Sequence, residues 1–356
     1  LNQTIAFEHG KPARIGVLLV QLGTPEAPTS KAVRRYLAQF LSDRRVVEIP
    51  KLIWLPILHG IILRIRPRKS AQKYASIWVN SGAEQGSPLR IYSQRQAKLL
   101  RGYLGERAID VEVALAMRYG TPSVSEVMAQ LAEKRVDRLL IVPMYPQYSA
   151  TTTASVYDAV MDTLKHTRNV PELRFIKHWH DHPGYIEALA QSVRTNIALN
   201  GEPELLVMSF HGLPKRNLLL GDPYYCECQK TARLVAERLD WPPERLKVTF
   251  QSRFGKAQWL QPYTQNTLVE LARSGTRHIA VMCPAFVGDC LETLEEINQE
   301  VRHAFMDAGG KKMDYIPCLN DAPQWLHAFA DLVQAHLCGW LEDKRPPGRG
   351  PSSTVF

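Results

Sequence analysis

His211 closes the apolar run Leu205-Leu206-Val207-Met208-Ser209-Phe210 and is followed by Gly212 and Pro214, which turn the chain. A histidine so placed is held at a cleft mouth, where an imidazole of free pKa about 6.5 can accept a proton or ligate a borderline metal. A second run, Ile279 to Cys283, leads into Pro284-Ala285-Phe286-Val287-Gly288-Asp289-Cys290-Leu291-Glu292-Thr293-Leu294-Glu295-Glu296. With a helix over 287–300, Asp289, Glu292 and Glu296 stand at i, i+3 and i+7 and share one face. Stacked carboxylates raise one another's proton affinity, giving a ladder that holds a cation or relays protons. The helix macrodipole alone would explain Asp289 and Glu292 but fades before Glu296. Residue types leave both features open: a satisfied, partly buried histidine and an acidic helix start are the plain alternatives.

Other residues suit a large, flat, anionic ligand. Gln251-Ser252-Arg253-Phe254-Gly255 leaves a strand ahead of Trp259, and Arg118-Tyr119-Gly120 takes the equivalent place earlier in the chain. Aromatic rings, here Trp259 and Phe286, supply stacking area, while guanidinium or hydroxyl groups bind carboxylates. Tyr148 lies in Tyr145-Pro146-Gln147-Tyr148-Ser149, whose hydroxyls run on through Thr153 and cap the next helix. His178, His180 and His182 look like a metal cluster, but Pro183 and Gly184 break the run, so the segment reads as a surface loop before a helix. Cys226 and Cys228 are too closely spaced for a Cys-x-x-Cys knuckle, and no second pair accompanies them.

The elements that must position these groups are short apolar, β-branched runs alternating with amphipathic stretches. The runs are Arg14 to Val20, Val111 to Met117, Arg138 to Pro143, Leu173 to Trp179, Glu204 to Phe210, Leu246 to Phe250 and Arg277 to Cys283. Continuous apolar strands between helices predict an α/β fold with buried parallel sheets. An internal echo pairs Gln21-Leu22-Gly23-Thr24-Pro25 with Phe210-His211-Gly212-Leu213-Pro214. It also pairs Met117-Arg118-Tyr119-Gly120 with Ser252-Arg253-Phe254-Gly255, and Leu140-Ile141-Val142-Pro143 with Val281-Met282-Cys283-Pro284. Two similar, doubly wound, Rossmann-like halves are therefore expected, 1–165 and 166–340, exchanging the C-terminal segment and enclosing a central cleft at the strand ends. The Pro-, Gly- and Ser-rich tail over 341–356 is expected to be disordered.

The chain has 356 residues, 45% apolar and 22% charged, with a formal net charge of +9. The positive field suits an anionic partner, but scattered basic residues without a readout motif exclude nucleic acid as the expected one. The polar N-terminus and the six cysteines point to a reduced, cytoplasmic protein. The stretch from Ile49 to Ile65 is interrupted by Lys51, Pro56, His59, Gly60 and Arg64, too often for a span of about 20 apolar residues. It reads either as a buried helix pair or as an apolar lip that admits a greasy ligand or rests on a membrane surface beside Arg64, Arg66, Arg68 and Lys69.

Taken in order, these segments resemble the ferrochelatases, most closely the protohaem-forming enzymes of Gram-negative bacteria. The strings are Leu19-Val20-Gln21-Leu22-Gly23-Thr24-Pro25, Gly86-Ser87-Pro88-Leu89, Pro143-Met144-Tyr145-Pro146-Gln147-Tyr148-Ser149, Ser209-Phe210-His211-Gly212-Leu213-Pro214, Gly221-Asp222-Pro223-Tyr224, Phe250-Gln251-Ser252-Arg253-Phe254-Gly255 and Asp289-Cys290-Leu291-Glu292-Thr293-Leu294. The resemblance implies insertion of Fe2+ into protoporphyrin IX in a porphyrin cleft, with His211 and Glu292 as the active-site pair. In that reading His211 takes pyrrole protons while Glu292, Glu296 and Asp289 deliver iron or export protons; the converse, with His211 and Glu292 as iron ligands, stays open. Arg118, Tyr119, Tyr148, Gln251, Ser252, Trp259 and Phe286 are the expected substrate contacts. Cys290 stands where many members have His. Some members hold a [2Fe-2S] cluster; with Ala150-Thr151 after Ser149 and no cysteine beyond Cys338, none is expected here, and no other tightly bound cofactor is expected. The expected partners are protoporphyrin and Fe2+, with peripheral contact at the inner membrane surface and a monomeric chain. A coproporphyrin or other tetrapyrrole chelatase and a non-catalytic haem carrier are the alternatives, separable by porphyrin preference and by turnover.

Overall fold

The computed structural model describes residues 12–81, 84–253 and 257–341, together with Gly10 and Gly255. The tail expected over 341–356 lies, apart from Leu341, outside the described residues.

Ten strands are present among these residues: β1 Arg14–Gly23, β2 Val79–Ser81, β3 Glu84–Gly86, β4 Glu112–Tyr119, β5 Val136–Pro143, β6 Glu172–Phe175, β7 Leu205–His211, β8 Leu246–Gln251, β9 His278–Met282 and β10 Lys312–Tyr315. Eight of them form two parallel sheets, ordered β4-β1-β5-β6 and β8-β7-β9-β10, while β2 and β3 make a small antiparallel ribbon. The two orders are the same path repeated, so β7 corresponds to β1, β8 to β4 and β9 to β5. These are the strands whose ends echo in sequence. Val17, Leu18, Leu19 and Val20, like Leu206, Val207 and Met208, are fully buried. Helices cover both sheet faces, which is why the strands read as continuous apolar runs rather than alternating ones.

Each half lends its last helix to the other. Pro183–Asn200, which follows β6, packs on Tyr224–Leu239 of the second half, and Pro323–His336, which follows β10, packs on Pro88–Glu106 of the first. Where the two exchanged helices cross, Trp179 stacks on Trp325 at 5.2 Å between ring centroids and Trp325 on Phe329 at 5.0 Å. A Cβ on Gly184 would come within 2.5 Å of the Ala328 Cβ, so the crossing needs a glycine there. The resulting core is continuous from Val17 and Leu140 of the first sheet to Met208 and Ala280 of the second. One core holds the two strand ends in a fixed relation.

The segment after the first helix forms Lys51–Ile57, a wide π-type turn Leu58–Ile62, and Leu63–Ile77. Reading it as a buried helix pair is corrected by the exposures: Leu52 is 92% exposed, Ile65 60%, Ile53 58% and Ile61 55%. Its inner side is anchored by Trp54, whose indole donates to the Leu41 carbonyl at 2.6 Å, and by buried Leu58 and Leu63. No helix among the described residues is long and apolar enough to cross a membrane.

Candidate active site

His211 ends β7 directly opposite Gln251, the last residue of β8. Its Nδ1 lies 2.7 Å from the Gly212 carbonyl, and the buried Tyr224 hydroxyl bonds to the His211 backbone. A carbonyl only accepts, so Nδ1 bears the proton of the neutral ring and Nε2 keeps its lone pair. Gly212 donates its N–H to the Gln251 carbonyl at 2.7 Å. A side chain there has no room, since a Cβ would fall 2.6 Å from that same carbonyl oxygen and 3.2 Å from the Trp259 ring. Trp259 thus sits beside the His211 turn, with its indole N–H buried and unpartnered, and Phe286 lies 6.5 Å from the imidazole centroid.

The acidic helix begins later than its sequence spacing suggests. Residues 284–290 form turns and loop, and the chain then enters a π-type helix, Glu292–Val301. The expected start at Val287 is therefore corrected. Asp289 belongs to the loop, buried, with its carboxylate accepting from Thr293 at 2.9 Å, from Asn320 at 2.7 Å and from the Tyr315 hydroxyl. These partners occupy both oxygens, so Asp289 positions the helix start instead of joining a ladder. Hydrogen bonding from i to i+5 widens the turn beyond the α-helical 3.6 residues or so, and Glu292 and Glu296, four apart, stay about one turn from each other on the same face. The equivalent place in the first half carries the same device, a π-type turn Ala150–Ala154.

Gln251 and Ser252, two of the expected substrate contacts, join His211 to this helix. Gln251 donates to the Glu292 carbonyl at 2.8 Å and accepts from Ser209 at 2.7 Å. Ser252 takes a left-handed backbone, φ 65°, and gives Glu296 both its N–H, at 2.7 Å, and its hydroxyl, at 2.5 Å. Glu296 nevertheless has a raised proton affinity. Burial is the main cause, helped by the Glu292 charge and opposed by Ser252 and His211. The buried Glu295 and the exposed Glu300 both pair with Lys73 of the lip helix Leu63–Ile77, at 2.9 and 2.6 Å. That helix and its neighbour Ser30–Ser42 also bring Tyr74 and Tyr36 to Glu292. Burial first, then neighbouring charge that includes Glu292, pushes both phenols well up, so they remain neutral hydroxyls.

Arg118 and Tyr119 stand at the equivalent strand end, where both side chains are engaged within the protein. Arg118 binds the Asp43 carboxylate at 2.6 Å and the Ser155 hydroxyl at 2.7 Å, and the Tyr119 hydroxyl donates to the same Asp43 oxygen at 2.7 Å. Asp43 is held below the usual carboxylate range even though burial opposes this, because Ser155, Tyr119, the Arg45 N–H and Arg118 together outweigh it. Tyr148 is half-buried, with the Lys177 ammonium 5.0 Å over its ring. Its segment docks on Glu227, which accepts the Tyr148 N–H at 2.7 Å.

Sequence reasoning missed Asp43, Tyr36, Tyr74 and the holding role of Tyr224. Only Tyr224 left a signal, its place in Gly221-Asp222-Pro223-Tyr224; the others reach the site through helix packing. His211, Glu292 and Glu296 form no compact three-ligand cage among the described residues; the group that does is His178, His180 and Glu227. The surface-loop reading of the histidine run is thereby corrected: His180 is buried and His178 bonds Glu227 at 2.6 Å.

Comparison with known proteins agrees with this architecture. The ferrochelatase of Aromatoleum aromaticum is 58% identical over 342 residues, 96% of this chain and 93% of that protein. That of Bordetella pertussis is 54% identical over 329 residues, 92% and 90% of the two chains. Among solved structures, SirB from Bacillus subtilis with Fe3+ superposes with a TM-score of 0.51 at 14% identity, over 70% of this chain and 91% of that one. The sirohydrochlorin chelatase SirB from Bacillus subtilis subspecies spizizenii, in complex with cobalt, gives 0.51 at 10% identity, over 90% and 94%. These likenesses establish the two-half fold. The family model of ferrochelatase matches residues 14–337, and with the strand-end histidine and the acidic helix in place the chain belongs to the ferrochelatase family.

Proposed function

We propose that the chain inserts Fe2+ into protoporphyrin IX, giving protohaem and two protons, with the macrocycle held between His211 and the acidic helix. That it is a metal chelatase follows from its family; the substrate and the residue roles are our reading. The two halves act as the two jaws of the cleft, with the expected boundary at 165 moved beyond β6, which completes the first sheet.

The observation that carries this reading is the contact of His211 Nδ1 with the Gly212 carbonyl, which leaves Nε2 as a lone pair aimed away from the turn. Nε2 accepts pyrrole protons from one face of the ring. Glu292 and Glu296 act from the other, where the raised proton affinity of Glu296 suits it to take up and pass on a proton. Iron enters as substrate, and both imidazole and carboxylate suit it, so His211 and Glu292 are also the candidate ligands during transfer. Trp259 and Phe286 supply apolar ring contact. Asp289, Gln251 and Ser252 hold the reacting groups in place, and Tyr36 and Tyr74 line the route to Glu292 as neutral donors. No resident cofactor and no [2Fe-2S] cluster takes part in this reading.

Haem formation from protoporphyrin and Fe2+ without oxygen tests the assignment. His211→Ala and Glu292→Gln should each lower kcat by about 100-fold or more, as loss of a positioned proton carrier does. A wild-type rate in either variant would sink it. Coproporphyrin measured alongside decides the number of substrate carboxylates, and multiple turnovers exclude a carrier. We also propose that the exposed aliphatics of 49–65, flanked by Arg64, Arg68 and Lys69, rest on an anionic membrane from the cytoplasmic side. Co-sedimentation with anionic vesicles that survives Leu52→Asp and Ile53→Asp would count against it.

A further inference from the structure

The histidine run that the porphyrin reading leaves unused ends in a different kind of site. His178 and His180 follow β6 of the first half, and Glu227 projects from Tyr224–Leu239 of the second. One ligand atom from each lies within 4.8 Å of the other two. His178 Nδ1 is 2.6 Å from one Glu227 oxygen, and His180 Nδ1 is 3.3 Å from the other. The His180 contact is not a hydrogen bond: His180 is only 4% exposed, and its Nδ1 is buried without any hydrogen-bond partner. A buried ring nitrogen aimed at a carboxylate that it does not bond is the arrangement that a cation between them would satisfy.

We propose that His178, His180 and Glu227 bind a borderline first-row divalent cation of the zinc type, which clamps the two halves together outside the cleft. Two neutral imidazoles and one carboxylate are a zinc-type donor set. Metal–ligand bonds of about 2.0–2.1 Å in tetrahedral array put ligand atoms about 3.3 Å apart, so the site forms by small side-chain rotations. The ligands are already oriented from outside. Glu227 accepts the Tyr148 N–H at 2.7 Å, the His180 carbonyl accepts from Thr231 at 2.9 Å, and Gln147 donates to Thr231 at 2.9 Å. The nearby Lys230 is neutralised by Asp181 at 2.6 Å and so does not repel a cation. His178 is the exposed member, and its side leaves a fourth position open to water.

The proposal is independent of the porphyrin assignment, and its test is run on protein that lacks the cleft pair. In a His211→Ala, Glu292→Gln background, metal-free protein titrated with Zn2+ should take up one equivalent and melt at a higher temperature, because a cation that binds only the folded state stabilises it. Co2+ in the same protein should give the visible absorption of a bound nitrogen- and oxygen-ligated ion. Adding His178→Ala, at the exposed ligand where folding is not at risk, should weaken Zn2+ binding about tenfold or more and abolish the melting shift. Glu227→Gln should do the same while retaining an acceptor for the Tyr148 N–H. Unchanged affinity and melting shift in both variants, or no Zn2+ uptake in the parent, would overturn the site.

Discussion

Gln251 donates its side-chain amide to the backbone carbonyl of Glu292 at 2.8 Å, and the same residue is the β-ladder partner of His211. One buried side chain therefore ties the imidazole to the first turn of the acidic helix. The distance between the two candidate reacting groups is set by strand register and by this amide together.

Removing that tie should separate activity from folding only partly. Gln251→Ala removes one partner from the Glu292 carbonyl and one from the Ser209 hydroxyl, which keeps Thr264 at 2.8 Å, a cost of about 1–3 kcal/mol in all. Haem formation should fall by up to about 100-fold, since small misplacements of reacting groups are costly. Urea unfolding and anaerobic kinetics on one preparation check both effects.

Ser252 carries two opposing demands, and substitution separates them. Glycine relieves a left-handed backbone that costs an L-residue about 1–2 kcal/mol, but it loses the hydroxyl bond to Glu296. Alanine loses the bond and keeps the strain. Ser252→Ala should therefore be less stable than Ser252→Gly by about 1 kcal/mol. Equal midpoints in urea would show that the left-handed backbone at Ser252 carries no such strain.

Gly212→Ala tests the close approach beside His211. The new Cβ would lie 2.6 Å from the Gln251 carbonyl oxygen, a backbone atom that cannot swing aside. Overpacking of this kind costs about 1–3 kcal/mol. Because the displaced residue follows His211 directly, kcat should drop by about tenfold or more while the far-ultraviolet spectrum stays native.

The Glu296 proton gives stability a pH dependence of known sign. Burial, the main cause, raises its proton affinity in the folded state above the ordinary value of 4.5. The folded protein then binds the proton more tightly than the unfolded chain. This contribution is complete below 4.5 and is lost as pH rises through the raised value. Glu296→Gln cannot titrate, so the stability of wild type relative to the variant should decline as pH rises across that window and then level off. A difference that is flat with pH, in paired urea titrations, would place the proton elsewhere.

Local sequence was enough for seven of the eight strands in the parallel sheets, β10 being missed, for their parallel class, for the repeat of the two halves, and for His211 at the end of β7. Apolar runs and turn residues act on their immediate neighbours, and Gly212 with Pro214 turns the chain after His211 wherever the rest of it goes. Tertiary structure alone decided what contacts across the chain impose. Asp289 leaves the ladder because Tyr315 and Asn320, far along the chain, take its oxygens. Gln251 and Ser252 turn inward to the acidic helix, and Arg118 is taken by Asp43. The helix starts at residue 291 and winds as a π-helix, a difference that periodicity over so few residues does not encode. His178 and His180 gain a carboxylate only because the second half lays Tyr224–Leu239 against them. Residue spacing constrains what lies within a turn or two, whereas the partner of a polar side chain depends on which distant segment the core brings beside it.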